Sequence, residues 1–288
     1  MYLRKIDILL YLFYYLYNKY NKGGLIMVSN LSITFMIISM SISFILPIVL
    51  VIYFYRKYKI SIKAVLVGIL IFIVFSQVLE KMLHWYVLVR NPQTAVMLTN
   101  PWIYMVYGGL AAGVFEEVGR FIGFKFLLKG RTQWKDGMAY GIGHGGIESI
   151  LIGGMMSLQY IVYSNLINSG MFEKTLGAKV PIGSLDSLKQ VLISSPPYYF
   201  GVIGVERVLA VTFHIALSLL VLYGVKNRKN IYLLYAIVIH ALFDFPAALF
   251  QTGQIKNVWI VESILLVVAL ISLIFIIKSK YMFSKSKE

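Results

Sequence analysis

Long uninterrupted apolar runs constrain this chain more than any other feature. Several of them exceed about 18 residues, the length that an α-helix needs to cross the hydrocarbon core of a bilayer. The ten-residue alternation of a transmembrane β-barrel is not visible. Charged residues make up only 14% of the chain, too few for the surface of a soluble domain. The sequence therefore predicts an all-α, polytopic transmembrane helix bundle.

Seven membrane spans are predicted after Met27, and basic residues cluster in alternate loops between them. This distribution predicts an N-terminus outside and a C-terminus inside, with the longest loop, 166–198, on the outer side. The net charge of +15 comes from basic residues in these loops, where they are attracted to anionic membrane lipid. No nucleic-acid partner is therefore expected. We expect a multi-pass protein of a bacterial plasma membrane. The predicted spans are 31–55, 62–89, 102–127, 136–165, 199–225, 231–251 and 257–278.

Residues 1–26 do not fit this pattern. Their apolar stretch, residues 6–17, is short for a span and lacks the cleavage site of a signal peptide. Lys22-Gly23-Gly24 can be encoded as a ribosome-binding site placed shortly before Met27. We therefore expect that translation starts at Met27, that residues 1–26 are not part of the natural protein, and that residues 27–288 form a single transmembrane domain.

Ionisable side chains occur inside the predicted spans, where each costs about 2.5 kcal/mol or more. Span three contains Glu116-Glu117-x-x-Arg120, in which Glu116 and Arg120 share a helix face. A structural ion pair explains one glutamate with Arg120. It does not explain two adjacent carboxylates, which repel each other when both are charged.

Spans four and six each carry a polar pair at a four-residue spacing. In span four the pair is His144 and Glu148, among glycines that let another backbone approach closely. In span six it is His240 and Asp244. Such pairs are either buried structural contacts or parts of a site that orients a base, a carbonyl or a metal ion.

Span five contains Glu206, Arg207 and His214. Arg207 and His214 are seven residues apart and lie nearly in line on one face. Glu206 beside Arg207 is either a local charge balance or part of the same site. His214 is either a hydrogen-bonded core histidine or a second layer around the reacting groups.

The depth of these residues links the four spans. At 1.5 Å per residue, Glu116, His144, His214 and His240 lie about 12–18 Å from the predicted cytoplasmic ends of their spans. This common level predicts one polar cavity. Glu80 and His84 lie instead near the predicted outer end of span two, beside aromatic residues, and are interpreted as an interfacial anchor.

Carboxylates with histidines can activate water and stabilise an oxyanion. The chain has no cysteine, no GxSxG and no HExxH, which excludes a cysteine nucleophile, the usual serine elbow and the usual zinc-protease helix. Histidines and carboxylates can also hold a metal ion or relay protons in a transporter. The residues alone leave these alternatives open.

The motifs resemble known membrane proteases. Glu116-Glu117-x-x-Arg120, Tyr140-x-x-x-His144 and His240-x-x-x-Asp244 are similar to motifs of the CAAX-protease and bacteriocin-processing superfamily and of PrsW-like proteases. Together with the His144-Gly-Gly-x-Glu148 and Glu206-Arg207…His214 segments, the pattern most resembles the YhfC family. The resemblance extends from about Met27 to span seven.

The resemblance implies a glutamic-type intramembrane endopeptidase acting on a membrane-embedded or lipidated protein or peptide. Glu116 would be the general base, His144 would help to bind the water, and Arg120 would position Glu116 and Glu117. His240 and Asp244 would stabilise the tetrahedral intermediate, and the further polar residues would form a second layer: Glu148, Glu206, Arg207 and His214.

Two alternatives accompany this interpretation. Asp244 replaces the more common asparagine, and His214 and Glu148 are additional. The first alternative is therefore a zinc-dependent protease, with ligands from Glu116, His144, His214 and His240; the main interpretation needs no cofactor. The second is a proton- or ion-coupled transporter or a non-enzymatic membrane protein.

Overall fold

The computed structural model describes residues 27–177 and 182–285. The predicted N-terminal extension, residues 1–26, lies outside the described residues. Within them the chain is helical and contains no strand, which confirms the all-α prediction. In chain order the helices are α1 (Asn30–Tyr58), α2 (Ile62–Arg90), α3 (Pro92–Met97), α4 (Pro101–Ile122), α5 (Trp134–Asn168), α6 (Phe172–Leu176), α7 (Ile182–Ser194), α8 (Pro197–Lys226), α9 (Ile231–Gln251) and α10 (Val258–Lys285).

Six of the described helices are long and apolar enough to cross a membrane, namely α1, α2, α5, α8, α9 and α10. The chain is therefore a multi-pass membrane protein. Helix α4 corresponds to the third predicted span and has 22 residues, but it carries Glu116, Glu117 and Arg120 and is not among these six. A total of seven spans and the orientation of the chain stay predictions.

Several long helices contain π-helical turns, which often occur at functional sites. Helix α2 is π-helical over Ile73–Glu80 and Tyr86–Arg90, and α5 over Ser149–Gly154. A further π-helical turn, Gly123–Leu127, follows α4. Two of these turns adjoin polar residues of the spans, because Glu80 ends one of them and Glu148 immediately precedes another.

The chain divides into two compact units. The smaller unit comprises residues up to Ile37 together with Leu158–Phe200. There the Asn168 side chain accepts a hydrogen bond from the Val28 N–H at 2.7 Å and donates one to the Val28 carbonyl at 3.1 Å. The predicted loop 166–198 contains α6 and α7 in its described part. Their apolar residues Phe172, Leu185 and Leu192 belong to the core of this unit.

The larger unit comprises Ile38–Ser157 and the chain from Gly201 onward, and it contains all the candidate site residues. Small residues allow its helices to approach closely. A Cβ atom at Gly143 of α5 would lie 2.1 Å from the Val65 carbonyl oxygen of α2, and one at Gly113 of α4 would lie 2.7 Å from the Ile237 carbonyl oxygen of α9. These contacts fix the helices that carry His144, Glu116 and His240.

Candidate active site

Glu116 lies at the centre of a buried polar cluster in the larger unit. Its Oε2 atom is 2.8 Å from Nε2 of His144, 3.8 Å from Nδ1 of His214 and 3.9 Å from Nε2 of His240. The four residues come from α4, α5, α8 and α9, and all are buried. The structure thus brings residues of four predicted spans to one carboxylate oxygen.

Glu117 has different surroundings from its neighbour. It is fully buried, with Oε1 2.8 Å from Nδ1 of His240 and 3.4 Å from Nη1 of Arg120. The predicted contact of Arg120 with the glutamate pair is therefore made through Glu117. Glu117 is therefore paired with a guanidinium and one histidine, whereas Glu116 adjoins three histidines.

Arg120 also determines how His214 uses its ring nitrogens. The guanidinium donates to the His214 carbonyl at 3.3 Å, and its Nη2 lies 3.0 Å from Nδ1 of the ring. A guanidinium can only donate, so Nδ1 accepts and the proton of a neutral ring is assigned to Nε2. Nε2 lies 2.5 Å from Oε2 of Glu148, and the two groups form an ion pair when the ring is protonated.

Glu148 connects this cluster to a second arginine. Its Oε1 accepts a hydrogen bond from Nη1 of Arg207 at 2.9 Å, and Nη2 of Arg207 contacts Oε1 of Glu206. The predicted charge balance between Glu206 and Arg207 is thus real, but it also includes Glu148 and through it His214. One guanidinium is shared between two carboxylates.

Asp244 lies at an accessible edge of the cluster, beside the buried His240. The Nδ1 atom of His240 contacts Glu117, and its Nε2 lies 3.5 Å from Oδ2 of Asp244. The Asp244 side chain is 32% exposed, against 8% for the Glu116 side chain. A molecule that approaches from this edge can therefore reach Asp244 before Glu116.

Carboxylates outnumber guanidinium groups in this cluster. The cluster contains two guanidinium groups, those of Arg120 and Arg207. It contains five carboxyl groups, those of Glu116, Glu117, Glu148, Glu206 and Asp244. Unpaired charge is costly in a low-dielectric interior. The excess negative charge must therefore be compensated by protons on the histidines or carboxyl groups, or by a bound cation.

Four members of the cluster fit a metal ion. Glu116, His144, Glu148 and His214 are buried and each offers a donor atom, all within 4.8 Å of one another. Histidine nitrogens and carboxylate oxygens are common ligands of zinc. His240, which the sequence analysis included among the zinc ligands, is not in this group of four, although its Nε2 is 3.9 Å from Glu116.

Two polar features lie outside the cluster. Glu80 contacts His84 at 3.2 Å, and the other ring nitrogen of His84 is 2.7 Å from the Tyr107 hydroxyl. Glu80 and His84, which the sequence analysis interpreted as an interfacial anchor, thus form a polar pair. Glu262 of α10 was missed; it is buried, and among the described residues its Oε2 has no hydrogen-bond partner. A lone glutamate within a predicted span was the signal for it.

Comparison with known proteins gives one family and one curated relative. The model of the YhfC intramembrane metalloprotease family matches residues 42–265. The chain is 44% identical over 257 residues to a protein of Bacillus subtilis (strain 168) described as "Uncharacterized membrane protein YhfC". The alignment covers 89% of this chain and 100% of that protein. No solved structure matches the chain.

The matched family segment contains every residue of the Glu116 cluster, from α4 to α9. Its members are described as intramembrane proteases, which are hydrolases, and this agrees with a buried group of carboxylates and histidines on membrane-spanning helices. The chain is accordingly a multi-pass membrane enzyme of the peptidase class. It belongs to the YhfC intramembrane metalloprotease family.

Proposed function

We propose that this chain hydrolyses peptide bonds of membrane-embedded or lipidated substrates at the Glu116 cluster, with a divalent metal ion held by Glu116, His144, Glu148 and His214. The observation that carries the proposal is the convergence of these four buried donor groups within 4.8 Å. The excess of carboxylates over guanidinium groups supports it, because a cation would compensate the negative charge. Zinc is the expected ion, since it takes both kinds of ligand.

When bound, a divalent ion supplies Lewis acidity that polarises a carbonyl group and makes water more acidic. The protein's own groups handle the protons. Asp244, which is more accessible than Glu116, takes the proton from the attacking water and returns it to the leaving amine. His240 is protonated in this step: its Nδ1 donates to the Glu117 carboxylate, and its Nε2 donates a hydrogen bond to the scissile carbonyl oxygen.

The two arginines orient the groups that hold the ion. Arg120 fixes the backbone of His214 through its carbonyl oxygen, and Arg207 fixes the carboxylate of Glu148. Partners that hold the ligands of a metal site set both its geometry and its affinity. Arg120 and Arg207 are therefore positioning residues and make no contact with the scissile bond.

A metal-free, glutamic-type reaction is the second candidate. The specific observation in its favour is the guanidinium of Arg120, whose Nη2 lies 3.0 Å from Nδ1 of His214, because a positive charge beside the donor group opposes a cation. In this reaction Glu116 takes the proton from a water that His144 helps to hold. Nε2 of His144 lies 2.8 Å from Oε2 of Glu116. His240 and Asp244 then stabilise the oxyanion.

Metal analysis together with peptide cleavage separates the two candidates. The full chain is purified in detergent, its metal content is measured by mass spectrometry, and cleavage of a panel of apolar model peptides is followed before chelation, after chelation and after zinc is restored. The proposal predicts about one ion per chain and cleavage that chelation abolishes and zinc restores. Cleavage by metal-free protein would contradict metal dependence and support the glutamic-type reaction. Absence of both metal and cleavage would contradict both candidates.

A further inference from the structure

Glu262 is a buried carboxylate that the proposed reaction does not use. It lies near the beginning of α10, and the residue is only 9% exposed. Its Oε2 atom is buried without a hydrogen-bond partner among the described residues. An ionisable group in an apolar helix is costly unless something compensates for its burial, and such groups commonly mark a binding site or pathway.

The adjacent arginine is already occupied. Glu262 lies within electrostatic range of Glu206 and Arg207. Nη1 of Arg207 donates to Glu148 at 2.9 Å, and Nη2 contacts Glu206. Both terminal nitrogens of Arg207 are therefore taken by Glu148 and Glu206, and Oε2 of Glu262 is left without a donor among the described residues. A positively charged donor would both satisfy this oxygen and compensate a charge on the buried carboxylate.

The pair Glu206 and Glu262, here called the acidic recess, is accessible on its Glu206 side and is connected to the reaction centre through Arg207. The Glu206 side chain is 35% exposed, so a ligand can reach it. Arg207 bridges Glu206 to Glu148, and Glu148 lies 2.5 Å from His214. A group bound in the acidic recess would consequently lie beside the cluster that carries the proposed reaction.

We propose that the acidic recess binds a positively charged side chain, lysine or arginine, of the substrate; this inference rests on the proposed peptidase function and names a feature of its substrate. The long apolar stem of such a side chain can follow apolar helix surfaces while its charged end reaches a carboxylate. An ammonium or guanidinium group would supply the donor that Oε2 of Glu262 lacks. The substrate is then an apolar segment with one basic residue near the bond to be cleaved.

Binding tests this inference without requiring cleavage. The full chain carrying Glu116→Gln is placed in lipid nanodiscs, and the affinities of fluorescent apolar transmembrane peptides are measured. Each peptide pair differs at one position, lysine against methionine, and that position is moved along the segment. For at least one position we expect the lysine peptide to bind about tenfold or more tightly, as for a buried charge pair. Adding Glu262→Gln should reduce this preference to nearly none.

The control is Glu173→Gln in the same background. Glu173 is exposed and pairs with Lys189 in the smaller unit, so its removal should leave the lysine preference unchanged. Glu206→Gln, read in the same way, replaces Glu262→Gln if that variant does not fold. Equal affinities of the two peptides at every position, or a preference that survives both substitutions, would overturn the inference.

A metal measurement separates a substrate side chain from an inorganic cation. The metal content of Glu262→Gln protein should equal that of the unmodified chain. A loss of bound metal on Glu262→Gln would mean that the recess holds an inorganic ion and would overturn the inference. Failure of the proposed function is a different result, namely the absence of cleavage and of chelator sensitivity in the unmodified protein, and it does not affect this binding assay.

Discussion

The larger unit contains two groups built from glutamate and histidine, and they are organised differently. The Glu80 group consists of Glu80, His84 and Tyr107, with Glu80 and His84 one turn apart on the same helix. The Glu116 cluster takes its side chains from four helices. The His84 side chain is 32% exposed, whereas that of His144 is fully buried.

This difference shows what separates a polar pair from a reaction centre. The Glu80–His84 contact needs only helical spacing, and a phenol completes it. The Glu116 cluster needs close packing of several helices, and there one carboxylate oxygen meets three histidines. Matched substitutions in the two groups should therefore have very different effects on activity.

The largest difference is expected between His144→Ala and His84→Ala. Loss of His144 removes the nearest partner of Glu116 and a proposed ligand, so peptide cleavage should fall by about 10²–10⁴-fold. His84→Ala should leave the rate within about threefold, because it disturbs only a partly exposed contact. Initial rates with one model peptide measure both effects. Equal losses in the two variants would remove the distinction between the groups.

A smaller effect is expected on metal affinity. Glu148→Gln removes a proposed ligand carboxylate that also orients His214 and should weaken zinc binding by about 10–100-fold. Glu80→Gln is the matched control and should leave the affinity unchanged. Competition with a fluorescent chelator gives both dissociation constants. Unchanged zinc binding in Glu148→Gln would exclude Glu148 from the metal site.

The smallest effect concerns the helix contact behind His144. An alanine Cβ at position 143 would meet the Val65 carbonyl oxygen, so Gly143→Ala should lower the free energy of unfolding by about 1–3 kcal/mol. Gly108, next to Tyr107, has open space for a Cβ, and Gly108→Ala should not destabilise the protein through a clash. Thermal unfolding in detergent compares the two. A Gly143→Ala protein as stable as the unmodified chain would contradict the close contact of α2 and α5.

Much of this organisation is predictable from the sequence. Apolar runs predict the membrane helices, and the spacing of Glu116, His144, His214 and His240 within the spans places them at one level. Hydrophobic length and helical rise depend on local sequence alone. Predictions based on these two properties therefore hold for any tertiary arrangement of the helices.

The partners of individual side chains were less predictable, because they depend on the rotation of each helix about its axis. Contacts of Arg120 with His214 and of Glu117 with His240 join helices far apart in the chain. Helix α7 was read as loop because prolines flank it, although Leu185, Leu188 and Leu192 have helical spacing. Glu262 was overlooked because no histidine, arginine or second carboxylate in its predicted span formed a motif with it.

The most direct test of the central claim compares Glu116→Gln with Glu80→Gln. Both substitutions replace a buried glutamate of the larger unit by its neutral isostere. Purified proteins with matched thermal stability are assayed for cleavage of the same apolar model peptide. If the Glu116 cluster is the reaction centre, Glu116→Gln loses at least about 10²-fold in rate and Glu80→Gln stays within about threefold of the unmodified chain. Retained cleavage in Glu116→Gln would contradict this account.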